Sequence, residues 1–344
     1  MNNKRLILII MIFGIILVAF FRRGDNGTVG KFAAPNEKLA HYNDAVSKLK
    51  DGSLWKPAGW GSGEYISTIP IIKAGAVVDL DSGEVLWSMN LKQRTATASL
   101  SKLATVMTAL DVSSPDKLLT VSDDASEQIP TKLGLKTGEK LKLSEAVDGA
   151  ILTSANDATE TIADSLGREV GIGTQSFMDL VNLKLGKIGA VDSHFVTATG
   201  LDAHNHYSTV YDLAIVAHEA WRNYPQITDV ARQSFIHLDG NGNHRQIDLP
   251  NWNALLGTYP GVNGLKIGYT EDAGYCTIDT ASRDGKNLVV VVLGAKSIED
   301  RESAGAVLLN YGFAKRGVAT FPIAALELKR RYADWQRELS YGGR

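Results

Sequence analysis

The sequence has a single cysteine, Cys276, and no excess of charge of either sign. One cysteine cannot form a disulfide within the chain, so the stability of the fold must come from its hydrophobic core. With 36 basic and 38 acidic residues the formal net charge is -2, which argues against nucleic acid or another polyanion as a partner. The 344 residues, 44% of them hydrophobic, are enough for one large globular domain or two modest ones.

One stretch, Leu6 to Phe21, lacks charged residues altogether and is almost entirely apolar. Two basic residues stand on each side of it, and its length lies between that of a signal-peptide core and the roughly 20 residues of a spanning helix. No small-x-small cleavage site follows directly, and the nearest small pair is Ala33 and Ala34. We therefore expect a single-pass membrane anchor rather than the cleaved signal of a secreted protein. Because both flanks are basic, the positive-inside rule leaves its orientation undecided.

The remaining chain changes composition twice. The part before the body is polar, with one patch of helical spacing from Leu39 to Leu49, and the last part carries an apolar stripe that includes Leu328 and Trp335. This stripe indicates a helix that packs on the body, with a contact to the membrane surface as the alternative. We expect an anchor or signal segment at 1–23, a stalk or linker at 24–67, a globular body at 68–315 and a helical tail at 316–344.

Periodic apolar residues predict strands near both ends of the body and helices between them. The predicted strands are Ile71–Leu80, Glu84–Met89, Leu265–Thr270, Gly274–Ser282 and Asn287–Gly294. The predicted helices are one from the Ser99 region to Leu110, Leu143–Leu152, a second one to about Leu166, Thr174–Leu185 and Ser303–Tyr311. This order predicts an α+β fold, in which an antiparallel sheet completed by both ends of the body carries an inserted helical subdomain.

A serine and a lysine, Ser99 and Lys102, stand three residues apart at the head of the apolar helix that ends near Leu110. Positions i and i+3 share a helix face, so the lysine amine can reach the serine hydroxyl and, if neutral, take its proton. An amine has an ordinary pKa of about 10.4, but burial among the apolar side chains of this helix would lower it. The pair would then be a nucleophile with its base. The alternative is a core helix with a capping serine and a lysine that extends to solvent.

Two further motifs follow, in the order that penicillin-binding proteins and serine β-lactamases show. Ser154 and Asn156 flank an alanine in the helical middle, and Lys266, Ile267 and Gly268 lie on a late strand. The sequence further resembles the low-molecular-mass D-alanyl-D-alanine carboxypeptidases in the blocks AGAVVDLDSGEVLW, ASLSKLATVMTAL, LTSANDAT, TATGLDAHNHYSTVYDLA, GYTEDAGYC and VVVVLGAKSIEDRE. This resemblance implies a β-lactamase/transpeptidase-like fold.

The resemblance also implies a reaction. Ser99 would attack the carbonyl between the two terminal D-alanines of a peptidoglycan stem peptide, giving an acyl-enzyme and free D-alanine. Lys102 would be the base, Ser154 would relay a proton to the leaving amine, and Asn156 would hold the lysine and the substrate amide. The catalytic body would act outside the cytoplasm, β-lactams would be covalent inhibitors, and neither a cofactor nor a metal is implied.

The same resemblance assigns substrate binding to the late strand and to one arginine. Lys266 would place positive charge near the terminal carboxylate, within a run that continues through Gly268 to Thr270. The backbone N–H groups of Ser99 and Tyr269 would form the oxyanion hole. Arg301, after the last strand, would support the carboxylate.

One position departs from the family pattern, because Ile267 stands where the family carries a threonine. Isoleucine cannot donate a hydrogen bond to the substrate carboxylate, so recognition of a free terminal carboxylate would be weaker. Two alternatives therefore stay open: a D,D-endopeptidase that cuts peptidoglycan crosslinks, and a catalytically weakened protein that only binds peptidoglycan or penicillin.

Three other patterns are interpreted as chance matches. A literal K-T-G sequence at 136–138 comes before the Ser154 motif, in a polar loop. Asp202, His204 and His206 do not give a complete zinc signature. The E-x-x-L-N sequence of class A β-lactamases is absent, and Glu219 begins only an E-x-x-R-N match.

Overall fold

The computed structural model describes residues 35–322 and Leu328, and its centre is one antiparallel sheet. The spatial order of the five strands is β2-β1-β9-β8-β7. They are β1 (Ala74–Asp79), β2 (Val85–Met89), β7 (Val262–Thr270), β8 (Gly274–Arg283) and β9 (Lys286–Ala295). All five strands were predicted, and strands from both ends of the body complete the sheet, so the predicted α+β class is confirmed.

Helices and two short hairpins surround this sheet. The helices are α1 (Pro35–Lys48), α2 (Lys102–Val112), α3 (Asp123–Ser126), α4 (Leu143–Leu152), α5 (Asn156–Val170), α6 (Thr174–Ile188), α7 (Val210–Asn223), α8 (Pro225–Ala231) and α9 (Ile298–Lys315). The hairpins pair β3 (Leu118–Thr120) with β4 (Lys140–Lys142) and β5 (Phe235–Leu238) with β6 (Ile247–Pro250).

The predicted membrane segment, Leu6 to Phe21, lies outside the described residues, as does the tail beyond residue 322 except for Leu328. Within the part of the chain that is described, we find no helix with the length and apolar character needed to cross a membrane. Leu328 is buried and packs with the cluster on the α9 side of the sheet.

Alternate residues of the central strands face two different helical layers. Val77 and Val290 pack with residues of α9, whereas Val78, Val289 and Val291 pack with the helices inserted between β2 and β7. Since β9 is covered on both faces, each residue of its centre is apolar, which accounts for the continuous hydrophobic run in its sequence.

Two predicted helices differ from the observed ones at their beginnings. Ser99 lies in a 3-10 turn, Ala98–Ser101, and the α-helix begins only at Lys102. The last helix begins at Ile298 rather than Ser303, because the Ser297 hydroxyl caps it by accepting a hydrogen bond from the N–H of Asp300 at 3.0 Å.

The region expected to be a stalk is described from residue 35. From Leu39 onward it belongs to the same compact unit as the body. Ala45 and Leu49 are buried and form an apolar cluster with Leu180 of α6. These contacts place this part of residues 24–67 on the body instead of between the body and an anchor.

The segment that follows α1 runs along the outer edge of β2. Ala58 forms a parallel bridge with Glu84, and Ser62 forms one with Trp87. Gly61 lies so close that a Cβ on it would come within 2.8 Å of the Trp87 backbone. The segment thus covers a sheet edge that would otherwise present unpaired backbone groups.

A buried ion pair joins α2 to α6. The Nζ atom of Lys184 lies 3.0 Å from Oδ2 of Asp111, and both side chains are fully buried. Lys184 also donates to the carbonyl of Lys50 at 2.8 Å, and Tyr224 donates its hydroxyl to Asp111 at 2.8 Å. Each charge therefore has several partners, which is what makes its burial tolerable.

Replacing Asp111 with alanine should lower the free energy of unfolding by about 3–5 kcal/mol, because it leaves the Lys184 amine buried without its carboxylate. Urea denaturation followed by circular dichroism measures this loss. The control is Glu169→Ala, which breaks a pair with Lys117 whose side chains are 48% and 35% exposed. Its loss should stay below about 1 kcal/mol. Equal losses in the two variants would contradict a stabilising role for the buried pair.

Candidate active site

Ser99 lines an open cavity of about 510 Å³ at the head of α2. The residue before it, Ala98, has a φ of 49°, in a region that residues with a Cβ rarely adopt. Gly200 packs behind the turn, where a Cβ would overlap the carbonyl oxygen of Ala98. The strained turn is thus supported from behind, and it presents the Ser99 hydroxyl to the cavity.

Lys102 is fully buried beneath Ser99. Its Nζ atom lies 2.8 Å from Oγ of Ser99, 2.8 Å from Oδ1 of Asn156 and 2.5 Å from the carbonyl oxygen of Thr199. Burial, and next to it the charge of Lys266, hold the pKa of Lys102 well below its ordinary value. The sequence analysis expected Ser99, Lys102 and Asn156 to lie together. It did not indicate Thr199, which is 97 residues from Lys102 along the chain.

These three contacts fix the direction of a neutral amine. A neutral amine has two N–H donors and one lone pair, and the oxygens of Asn156 and Thr199 can only accept. With its two hydrogens on these oxygens, a neutral Lys102 would leave its lone pair for the Ser99 hydroxyl, which also lies 3.3 Å from the carbonyl oxygen of Thr199 as a donor. In this arrangement Lys102 can accept the proton of Ser99.

The loop over the cavity is tied to the start of α5. The amide of Asn156 donates to the carbonyl of Ile129 at 2.9 Å. The buried carboxylate of Asp157 accepts the backbone N–H groups of Leu133, Gly134 and Leu135 at 2.9, 2.8 and 3.0 Å. Asp157 was not singled out from the sequence, although an acid in the first turn of a helix is a recognisable signal.

Ser154 lies on the cavity wall with a φ of 59°. Its carbonyl accepts the hydroxyl of Thr131 at 3.1 Å. Within the described residues its own hydroxyl makes no hydrogen bond.

Strand β7 approaches Ser99 at a glycine. A Cβ on Gly268 would lie 2.7 Å from the backbone nitrogen of Ser99. Lys266 is buried, its ammonium donates to the carbonyl of Ile267 at 2.8 Å, and burial together with Arg301 lowers its pKa to about 7. Ile267 and the half-exposed Tyr269 both line the cavity.

Arg301 and Thr270, two further residues predicted to bind substrate, differ in whether they line the cavity. Arg301 lies in the first turn of α9, lines the cavity and pairs with Glu302. Thr270 does not line the cavity, because its hydroxyl donates to Asp202 at 2.6 Å and accepts the N–H of Ala273. Apolar side chains complete the wall around Arg301: Ile267, Trp252, Tyr275 and Ile298.

The patterns interpreted as chance matches lie elsewhere. Thr137 of the K-T-G sequence donates to Asp123 at 2.7 Å, in the turn that leads to β4. His206 is buried, accepts the N–H of Val196 at 3.2 Å, and has its pKa lowered to about 4 by burial. Glu219 accepts the N–H of Ser53 at 3.3 Å on α7. No group of metal-ligating side chains is present among residues 35–322.

Comparison with known proteins gives concordant matches. A family model described as D-alanyl-D-alanine carboxypeptidase matches residues 67–297. The D-alanyl-D-alanine carboxypeptidase DacF of Bacillus subtilis is 32% identical over 250 residues, which cover 71% of this chain and 62% of that protein. DacD of Salmonella typhimurium is 33% identical over 257 residues, covering 71% of this chain and 63% of that protein. The chain thus spans less than two thirds of the length of these relatives.

Solved structures agree with the architecture. The Streptomyces K15 DD-transpeptidase superposes with a TM-score of 0.67 at 28% identity, over 72% of this chain and 99% of that one. Penicillin-binding protein D2 of Listeria monocytogenes, in its ampicillin-bound form, gives a TM-score of 0.62 at 28% identity over 70% of this chain and 97% of that one. The predicted transpeptidase-like fold is therefore confirmed.

Replacing Gly268 with alanine should slow the covalent labelling of Ser99 by a fluorescent penicillin roughly tenfold to a hundredfold, because the new methyl group displaces the Ser99 turn. Stopped-flow or gel-based labelling rates measure the effect. Gly63→Ala is the control, since a Cβ at Gly63 meets no atom within 4 Å. Unchanged labelling of Gly268→Ala would show that the turn can shift without consequence.

Proposed function

The chain belongs to the D-alanyl-D-alanine carboxypeptidase family, and on that premise we propose that it is a serine D,D-peptidase that removes the terminal D-alanine of peptidoglycan stem peptides. The observation that carries the proposal is the contact of 2.8 Å between the Ser99 hydroxyl and the fully buried amine of Lys102. A lysine kept neutral beside a serine on a cavity wall is the arrangement that acyl transfer needs.

The reaction begins with the Ser99 hydroxyl, which passes its proton to Lys102 as its oxygen attacks the carbonyl between the two D-alanines. Backbone N–H groups of Ser99 and Tyr269 stabilise the negative oxygen of the tetrahedral intermediate. The C–N bond then breaks, and the leaving amine takes a proton through the Ser154 hydroxyl, for which Lys102 is the source. Water hydrolyses the ester in a second step, which releases the shortened peptide and restores Ser99.

Positive charge near the cavity serves the terminal carboxylate of the substrate. Lys266 and Arg301 are both buried, and burial together with the charge of Arg301 lowers the pKa of Lys266, so its ammonium form benefits from an anion nearby. A substrate carboxylate supplies that anion. In this proposal Asn156, which already holds Lys102, also contacts the substrate amide.

The substrate implies a location and a membrane attachment. Peptidoglycan lies outside the cytoplasm, so the body acts there, held by the apolar segment within residues 1–23 or secreted after its cleavage. In this proposal the body at 68–315 carries the reaction. β-Lactams, whose ring carbonyl is attacked by the same serine, act as covalent inhibitors, in line with the ampicillin-bound Listeria relative.

A second activity, D,D-endopeptidase cleavage of crosslinks, is favoured by one observation. The wall around Arg301 is apolar and includes Ile267 in place of a hydroxyl-bearing residue. A crosslinked substrate carries more than a terminal alanine on the leaving side. Its recognition therefore depends less on tight binding of the carboxylate.

Ser99→Ala should abolish both penicillin labelling and release of D-alanine from a stem pentapeptide, while the far-UV circular dichroism stays unchanged, because only one hydroxyl is removed. Ser101→Ala is the matched control, since Ser101 stands in the same turn and its hydroxyl bonds only the carbonyl of Ala98, at 3.3 Å. Labelled Ser99→Ala protein would exclude Ser99 as the nucleophile. Cleavage of a crosslinked dimer into monomers, without release of D-alanine from the pentapeptide, would favour the endopeptidase.

Ile267→Thr should raise acylation by peptides that end in free D-alanyl-D-alanine roughly tenfold to a hundredfold, because a hydrogen bond to a charged group contributes about 1.5–3 kcal/mol. The gain should be smaller on the corresponding peptide amide, which has no carboxylate. Acylation rates measured on both peptides give the comparison. Equal rates for the variant and the natural protein would mean that other groups already bind the carboxylate.

A further inference from the structure

Behind Arg301 lies a buried carboxylate that the proposed reaction does not use. Nε of Arg301 donates to Oε1 of Glu302 at 3.1 Å, and one of its terminal nitrogens donates to the same oxygen. The Glu302 side chain is fully buried and that of Arg301 is only 4% exposed. The guanidinium therefore has a fixed side, bound to Glu302, and a side on the cavity wall.

The second oxygen of Glu302 has no hydrogen-bond donor among the described residues, although it is buried. A buried carboxylate oxygen without a donor costs free energy, so the contact of Arg301 with the other oxygen is the interaction that stabilises Glu302 here.

A second buried acid, Asp279 on β8, lies against the same face of α9. Asn253 donates to its Oδ1 at 2.7 Å, and the Thr277 hydroxyl lies 2.9 Å from its Oδ2. The same Oδ2 atom would lie 3.1 Å from a Cβ at Gly305. Gly305 follows Glu302 by three residues, so both occupy the helix face that Asp279 contacts.

The charges that act on Asp279 come from α9. They are the carboxylate of Glu302 and the guanidinium of Arg301, while the neighbouring Asn253 and Thr277 are neutral. Burial, and then the negative charge of Glu302, raise the pKa of Asp279 to about 7. The position of Glu302 therefore affects both Arg301 and Asp279.

We propose that Glu302 is a positioning residue for Arg301 and thereby sets how strongly Arg301 attracts the substrate carboxylate. This inference rests on the proposed function, in which Arg301 faces a terminal carboxylate. Glu302 holds the guanidinium at the cavity wall that Arg301 lines.

The test compares a peptide ending in D-alanyl-D-alanine with the same peptide ending in the amide. Their ratio of kcat/KM isolates recognition of the carboxylate. Glu302→Gln should lower this ratio about tenfold through KM, with kcat nearly unchanged, because the guanidinium loses its charged anchor. In an Arg301→Ala background the same change should have no further effect, since Glu302 acts only through Arg301. Glu219→Gln is the control, because Glu219 is also buried with one unpartnered oxygen but lies outside the cavity.

Two outcomes decide the inference. A ratio that Glu302→Gln leaves unchanged, or lowers equally in the Arg301→Ala background, would overturn the positioning role. If the natural protein neither binds penicillin covalently nor releases D-alanine, it is the proposed function that fails.

Discussion

The proposed chemistry depends on one constraint: Lys102 must be able to act as a neutral amine. Removal from water disfavours its ammonium form, and the surrounding helices provide that removal. A neutral amine still needs acceptors for its two hydrogens. One comes from Asn156 at the head of α5 and one from Thr199 in the loop behind the Ser99 turn. The contacts between α2, α5 and that loop therefore also determine the direction of the lone pair.

Two buried lysines in this site have different environments, and the difference separates their proposed chemistry. Lys102 is surrounded by oxygens that only accept, together with one hydroxyl, which suits a base. Lys266 donates to a carbonyl of its own strand and lies near Arg301, which suits a group that meets an anion. The charge of Lys266 also lowers the pKa of Lys102, and so it favours the neutral form of Lys102.

Local patterns predicted the sheet and the nucleophile pair, but not the contacts made between distant parts of the chain. The apolar runs gave β7, β8 and β9 to within a few residues, and the spacing of Ser99 and Lys102 placed their side chains together. The 3-10 turn was missed, because its strain is supported by Gly200 from another loop. The position of Ser154 on the cavity wall and the burial of Glu302 both depend on tertiary packing, which local sequence patterns do not predict.

One edge of the sheet is covered in the described chain. The segment containing Ala58 and Ser62 borders β2. A sheet with an open, apolar edge can recruit strands from other molecules and initiate aggregation. Here the residues before β1 protect the β2 edge, so removal of that segment would be expected to promote self-association of the body.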